Sequence, residues 1–266
     1  MNNIKNNGGC IFCERKEHTT LYKFADLPRY KQIGKSRDIV KCENCALVYC
    51  YPRNSEESML DIYENNYWQD YQTQVGEMNI NDRILEFETI SKERMTYIEN
   101  FKTSGKFLDV GCCMGFLVNE ANNRGFDAYG IDLNEEDINE GKKRYDINLK
   151  KTFLENFQQY NFDIITSFNV LEHVSDPVKM LLEKKKRLKK DGIIVVGTHD
   201  IECQNHRKEK VKWKHIIPNE HLYFFSIETL SNLASKVGLK LLYYNKPIEN
   251  SIVAYFKLKD YNKQKA

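Results

Sequence analysis

The passage Phe107-Leu108-Asp109-Val110-Gly111-Cys112-Cys113-Met114-Gly115 constrains this chain more than any other. An apolar strand runs into a turn punctuated by two glycines, and Phe116 then opens a helical stretch to about Arg124. A strand, tight turn and helix in that order bring backbone close to a ligand, and glycine permits the turn. Gly125 suits the end of the helix, a second strand follows over 128–131, and Asp132 stands directly after it. An acid about 20 residues beyond a glycine loop is where a Rossmann-type site meets ribose hydroxyls. Short apolar runs continue to alternate with helical stretches, with strands predicted at 106–110, 128–131, 162–168 and 192–197. That alternation belongs to a parallel sheet covered on both faces. Asp176-Pro177 reads as an N-cap with proline in the first turn, opening a helix through Met180, Leu181 and Leu182 to near Asp191-Gly192. Segments 239–244 and 251–256 are predicted to close the sheet as a hairpin.

Two ligand classes fit such a loop, and Asp109 discriminates between them. A dinucleotide puts an anionic pyrophosphate at the helix N-terminus, where a strand-end carboxylate repels it. S-adenosylmethionine has no phosphate and carries an ammonium and a sulfonium, for which the carboxylate is favourable. The expected cofactor residues are Asp109, Gly111, Cys113, Gly115, Asp132, Leu133 and Asn169.

With Gly130-Ile131-Asp132 and the run from Phe162 through Asn169-Val170-Leu171-Glu172-His173 to Pro177, residues 105–242 resemble a class I S-adenosylmethionine-dependent methyltransferase of the type 11/type 23 group. The resemblance implies an α/β, Rossmann-like seven-stranded methyltransferase sheet, and methyl transfer to a small acceptor. Cys113 departs from the family pattern, which has glycine there, and weaker binding or a displaced adenosine is the expected consequence. Glu172-His173 is similar to a metal-dependent quinone-pathway pattern, but the further glutamate of that pattern is replaced by Asn169, which argues against a catalytic divalent metal.

Cys10-x-x-Cys13 and Cys42-x-x-Cys45 form two thiolate pairs at the spacing that clasps one tetrahedral ion, so a structural zinc is expected on four sulfurs. A filled coordination sphere leaves the ion to fold the module and not to react. Cys50, Cys112, Cys113 and Cys203 lack partner spacing and read as ordinary cysteines. The expected organisation is a zinc ribbon over 1–53, a helical connector and lid over 54–103, and the Rossmann-like domain over 104–266. In the connector Ile84, Leu85, Phe87, Glu88 and Ile90 fit one helix face, while Tyr63, Tyr67, Trp68 and Tyr71 either pack that helix or close over the site. The front part is similar to methyltransferases of bacterial surface-polysaccharide pathways. That implies a capsule or O-antigen precursor as acceptor, either a sugar hydroxyl of a sugar nucleotide or glycan precursor, or a phosphoramidate.

A sugar hydroxyl calls for a general base, and two histidines are placed for it. His173 follows the fourth strand at the carboxyl edge where open α/β sheets bind ligands, and His221 lies in Pro218-Asn219-Glu220-His221-Leu222. The charged stretch 200–213 is the expected acceptor loop. Lys184-Lys185-Lys186 with Lys189-Lys190, and Lys142-Lys143-Arg144, read as solvated faces.

The chain has 40 basic and 38 acidic residues, and a formal charge of +2 supplies no global field for nucleic acid. That weighs against the nearest alternative, a ribosomal RNA base methyltransferase. A non-catalytic zinc-ribbon interaction protein with a degenerate cofactor site is the alternative of another class, motivated by Cys113 alone. The N-terminus lacks a signal-peptide core and no membrane-length apolar run occurs, so a cytoplasmic location is expected.

Overall fold

The computed structural model describes residues 9–32, 35–52 and 80–259. The aromatic stretch with Tyr63, Tyr67, Trp68 and Tyr71 lies outside them. Two sheets organise the described chain. The larger one is built from β4 (Lys106–Val110), β5 (Asp127–Asp132), β6 (Asn148–Lys151), β7 (Phe162–Phe168), β8 (Leu188–His199), β10 (Leu239–Asn245) and β11 (Ser251–Leu258). Their spatial order is β10-β11-β8-β7-β4-β5-β6, the expected seven strands. β4, β5, β6, β7 and β8 run parallel, and β11 enters antiparallel beside β8.

Local chemistry sets the helices. α1 (Ile80–Ile98) buries Ile84, Ser91, Met95 and Ile98 along one face, while Leu85, assigned to that face by periodicity, points to solvent. α2 (Phe116–Asn123) starts from Gly115 at φ +78°. A Cβ at Gly115 would meet Ile147 Cδ1 at 2.6 Å, so glycine is required for conformation and for space. α3 (Glu135–Tyr145) is capped by the Asn134 side chain, which accepts from the amides of Glu136 and Asp137, and its exposed last turn carries Lys142, Lys143 and Arg144 as expected.

α4 (Pro177–Arg187) is capped by Asp176, but it ends at Arg187, four residues before the expected stop. Arg187 is buried and donates to the carbonyls of Phe157 and Glu155, which draws the chain straight into β8. The reading of Lys184 as a solvated residue is also corrected. Lys184 is fully buried and donates to the Ser167 hydroxyl on β7. Three lysines in a row cannot share one face of a helix, and the first of them faces the sheet. Of the others, Lys185 donates to the Val237 carbonyl, and Lys189 pairs with Asp163 at 2.7 Å.

The smaller sheet holds β1 (His18–Tyr22), β2 (Asp38–Cys42), β3 (Val48–Tyr51) and β9 (Tyr223–Phe224) in that order, all antiparallel. Its last strand comes from the far end of the chain. β9 is followed by α6 (Ile227–Lys236), which opens with a Ser226/Thr229 capping box. The segment expected as the acceptor loop forms α5 (Gln204–Glu209) and a short turn, with Cys203 and Trp213 clustered with Ile39 and Cys50 of the N-terminal sheet and with Leu27 from the chain between β1 and β2. No described helix is long and apolar enough to cross a membrane.

Candidate active site

A cavity of about 460 Å³ opens at the carboxyl edge of the parallel strands, in the size range of small-molecule sites. Its first half is built from consecutive chain: Val110 at the end of β4 with Gly111 and Cys113 after it, Ile131 and Asp132 at the end of β5 with Leu133 after it, Asp137 on α3, and Thr152, Phe153 and Leu154 after β6. Asp132 organises this half. Its Oδ2 accepts from the Cys113 amide at 2.8 Å, and its Oδ1 accepts from the amides of Leu133 and Asn134 at 2.7 and 3.0 Å. Gly111 stands at φ +77°, and a Cβ there would lie 2.3 Å from Val170 Cγ2. Among the described residues this wall offers two carboxylates, Asp132 and Asp137, and no Lys or Arg. Burial pushes the Asp137 carboxyl up to about 6, with the Asp132 charge adding to it. The wall suits a cationic ligand and opposes a pyrophosphate.

Cys113 takes the left-handed conformation, φ +51°, where glycine would be free of strain. Its thiol turns to α3 and donates to Asp137 at 3.6 Å. Asp109 and Gly115 do not line the cavity. Asp109 lies behind the loop, 5% exposed, accepting from the Thr166 hydroxyl at 2.6 Å, with the half-buried Arg94 and the buried Lys184 beside it. Burial raises its carboxyl to about 6, while burial lowers Lys184 to about 7 and Arg94 to about 10. The charges offset one another across the end of β4, and Arg94 also sits 3.8 Å over the Phe168 ring. Asn169, at φ +54°, lines the cavity with Leu133.

The second half gathers histidines. His173 and His221 line it, with ring centroids 4.7 Å apart, and the sequence reading named both. It missed His199, at the end of β8, and His215. Their rings stack at 3.5 Å, and His199 lies 5.1 Å from His221. His199 was legible, since it stands at a strand's carboxyl edge as His173 does; nothing local marked His215. Glu172 lies buried beneath, with its Oε1 3.7 Å from His199 Nε2 and neither oxygen in a hydrogen bond. Burial pushes its carboxyl up to about 7, tempered by the nearby Thr198 hydroxyl. The His173 Nδ1 faces the Glu220 carbonyl at 2.9 Å, and the His221 Nδ1 faces the His215 carbonyl at 2.7 Å. Each Nδ1 must donate there, so each lone pair sits on Nε2. Burial lowers His221 to about 4 and His215 to about 3, and it holds His173 and His199 well below the ordinary imidazole range. All four imidazoles are neutral at neutral pH. No residue of the expected acceptor loop 200–213 lines the cavity; the lining resumes at His215.

The model of a methyltransferase domain family, type 23 of its group, matches residues 82–244, more than half of the chain. The chain belongs to this methyltransferase family. The methyltransferase is similar to the ubiquinone biosynthesis O-methyltransferase of Actinobacillus pleuropneumoniae serotype 7, with 33% identity over 121 residues, 40% of this chain and 51% of that one. It spans about half the length of the curated relatives it matches. In fold it is similar to the magnesium protoporphyrin IX methyltransferase of Synechocystis PCC 6803 with bound SAH, at TM-score 0.60 and 12% identity, over 77% of this chain and 100% of the other. It is also similar to the 1,6-didemethyltoxoflavin-N1-methyltransferase of Burkholderia thailandensis, at TM-score 0.59 and 12% identity, over 86% and 98% of the two chains. S-adenosylmethionine is the methyl donor that the family implies, and the residues present fit it. The fit is visible at the Gly111 cradle, which a side chain would close, and in the two carboxylates of the cofactor half, which have no Lys or Arg beside them among the described lining residues.

The four paired cysteines converge as their spacing implies. Their sulfurs lie within 4.8 Å of one another, with Cys10 3.5 Å from Cys45 and Cys13 3.4 Å from Cys42. A zinc ion with bonds of about 2.3 Å to four sulfurs would hold them about 3.8 Å apart. Burial pushes the Cys10 thiol up to about 11 and Cys45 higher still, while at Cys13 burial is outweighed by hydrogen bonds that bring it down to about 7, so a divalent cation is what would ionise Cys10 and Cys45. The cluster is suited to a structural zinc and is closed by its four thiols.

Proposed function

We propose that this methyltransferase carries a methyl group to a hydroxyl oxygen of a small acceptor, with His221 as the proton acceptor and His173 positioning the hydroxyl. A sugar hydroxyl of a surface-polysaccharide precursor is the acceptor class favoured here. The observation that carries the reading is the tautomer of His221. Its Nδ1 donates to the His215 carbonyl, and burial keeps the ring neutral, so Nε2 carries the free lone pair that a proton acceptor needs.

S-adenosylmethionine supplies a methyl carbon already activated by the sulfonium, so the protein's tasks are alignment, removal of one proton and exclusion of water. In this reading Asp132 meets the ribose hydroxyls, and Gly111, Cys113, Leu133 and Asn169 line the seat of the cofactor, while Asp109 and Gly115 shape the loop from behind. His221 Nε2 takes the hydroxyl proton as the oxygen bonds to the methyl carbon, and the carbon–sulfur electron pair stays with sulfur.

Charge favours the hydroxyl over a phosphoramidate. The acceptor half is lined by Glu155, Asp176, Glu183 and Glu220, and Lys179 is the one Lys or Arg among the described lining residues. Its Nζ lies 2.8 Å from Glu155. An anionic acceptor, or a polyanion such as RNA, would meet net repulsion there. The resemblance of the front module supports the polysaccharide assignment, and the O-methyltransferase relatives support oxygen as the acceptor atom. The test is calorimetric titration with S-adenosylmethionine, S-adenosylhomocysteine and NAD, followed by S-adenosylhomocysteine release with nucleotide sugars, phosphoramidates and RNA. Turnover with a nucleotide sugar is the expected result; turnover with RNA alone, or NAD binding, would overturn the reading.

A further inference from the structure

The acceptor-side histidines are held from outside the catalytic sheet. Residues 211–224 carry His215 and His221, and their backbone is met by side chains of the N-terminal module. Lys31 donates to the carbonyls of Val211 at 3.5 Å, Lys212 at 3.2 Å and Trp213. An ammonium offers three protons, and the end of a helical turn offers several outward carbonyls, so the two match in number. Arg37 donates to Asn219 Oδ1 at 2.7 Å and to the Pro218 carbonyl at 3.4 Å. The Cys50 amide donates to the Leu222 carbonyl at 2.9 Å, its thiol donates to the His221 carbonyl at 3.2 Å, and β3 then pairs with β9.

Lys31 and Arg37 are buried at 7% and 4% exposure, a costly place for a charge unless its hydrogen bonds are made. Those bonds reach the chemistry in one more step. The carbonyl that fixes His221 belongs to His215, and the carbonyl that fixes His173 belongs to Glu220. Both lie on the segment that Lys31 and Arg37 clamp.

We propose that Lys31 and Arg37 of the cysteine module are positioning residues for methyl transfer, fixing the 211–221 segment so that its carbonyls set the tautomer and orientation of His173 and His221. The inference rests on the reading of the cavity as a methyl-transfer site. It makes the four-cysteine module part of the acceptor apparatus and leaves the cofactor half independent of it.

The experiment uses the full chain with its metal and compares Lys31→Met, Arg37→Ala and Arg37→Lys with the parent. Lys185→Met, which removes an ammonium contact to the Val237 carbonyl in the catalytic domain, is the control for general stability. Three quantities are read: S-adenosylhomocysteine affinity by calorimetry, amide exchange along 211–224, and the imidazole nitrogen signals that report tautomer. The expected result for Lys31→Met and Arg37→Ala is affinity within twofold, exchange at least tenfold faster in 211–224 alone, and averaged tautomer signals for His173 and His221. Arg37→Lys is expected to restore part of the signal. Unchanged imidazole signals would overturn the proposal, as would exchange that rises evenly over the large sheet as in the control. If Arg37→Ala does not fold, Lys31→Met and Arg37→Lys decide by the same readings. Failure of the parent to bind S-adenosylhomocysteine would sink the methyl-transfer reading, while the tautomer signals would still decide the clamp.

Discussion

The two halves of the cavity are made in opposite ways. The cofactor half comes from residues 110–154, each wall contributed by the turn after a successive strand, and its main carboxylate is held by amides one, two and nineteen positions away. The acceptor half joins the ends of β7 and β8 to a segment clamped by residues about 180 positions earlier. A half built from local chain is fixed as soon as the strands pair. A half built from distant pieces depends on a second folding unit, so the two should respond differently to the same perturbation.

Emptying the four-cysteine cluster of the zinc it is suited to hold would be the largest such perturbation. Cys42→Ser, or chelation under reducing conditions, is expected to release the ion completely and loosen the small sheet, because coordination energy is folding energy for a module this small. Metal analysis with S-adenosylhomocysteine titration checks it: cofactor affinity should stay within a few-fold while exchange in 211–224 rises. Full metal retention in Cys42→Ser would count against the four-sulfur site. Loss of both halves together would erase the distinction between them.

His221→Gln probes the acceptor half from within. With no base, turnover should fall roughly 10²–10⁴-fold while S-adenosylhomocysteine binds as before. Equal turnover would show that the acceptor needs no proton removed. Asp132→Ala probes the opposite half. Three backbone amides lose a charged partner, and the ribose site with them, so cofactor affinity should drop about 100-fold with the thermal transition still cooperative. Unchanged affinity would misplace the ribose site.

The same division explains what could be read from the sequence. Gly111, Asp132 and four of the parallel strands follow from local pattern, because strand, turn and helix chemistry repeats at short range, while the seventh strand and the sheet as a whole come from the family resemblance. Asp109 was legible as a strand-end acid but not as a buried one, since its burial depends on Arg94 and Lys184 arriving from two different helices. The same long-range packing hid Lys184 within a run of lysines. His199 and His215 become neighbours through the register of β8 and the fold-back of 213–221 onto it, and no spacing in the chain encodes that meeting. The clamp by Lys31 and Arg37 was invisible for the same reason.

The histidine cluster should also give the acceptor half its own pH signature. Each of the four imidazoles titrates lower in the folded chain than its unfolded value near 6.5. Each therefore contributes stability that is present above about 6.5 and lost as the pH falls, through about 4 for His221 and about 3 for His215. Glu172, raised to about 7, runs the other way: its contribution is full below 4.5 and lost as the pH rises through about 7. Asp109 and Asp137, each raised to about 6, run the same way as Glu172, so four groups stand against three and the melting temperature should fall only slightly between pH 6.5 and 5. His215→Gln should make that fall shallower by about one proton's worth. An unaltered slope would mean that these rings are already solvated.

Cys113→Gly is the smallest and most discriminating change, because it tests whether the departure from the family pattern touches the ligand at all. The left-handed backbone at Cys113 costs about 1 kcal/mol for a side-chain-bearing residue. That strain is present with and without cofactor, so it cancels from the affinity. It does not cancel from folding, but glycine also frees the unfolded chain by about 0.5–1 kcal/mol, which offsets most of the relief. The thiol itself is turned toward Asp137 on α3. Stability within about 1 kcal/mol of the parent and S-adenosylhomocysteine affinity within threefold are therefore expected, by thermal melts and calorimetry. A tenfold gain in affinity would instead place the thiol in the adenosine seat, and the cofactor half would then carry a substitution that weakens its own ligand.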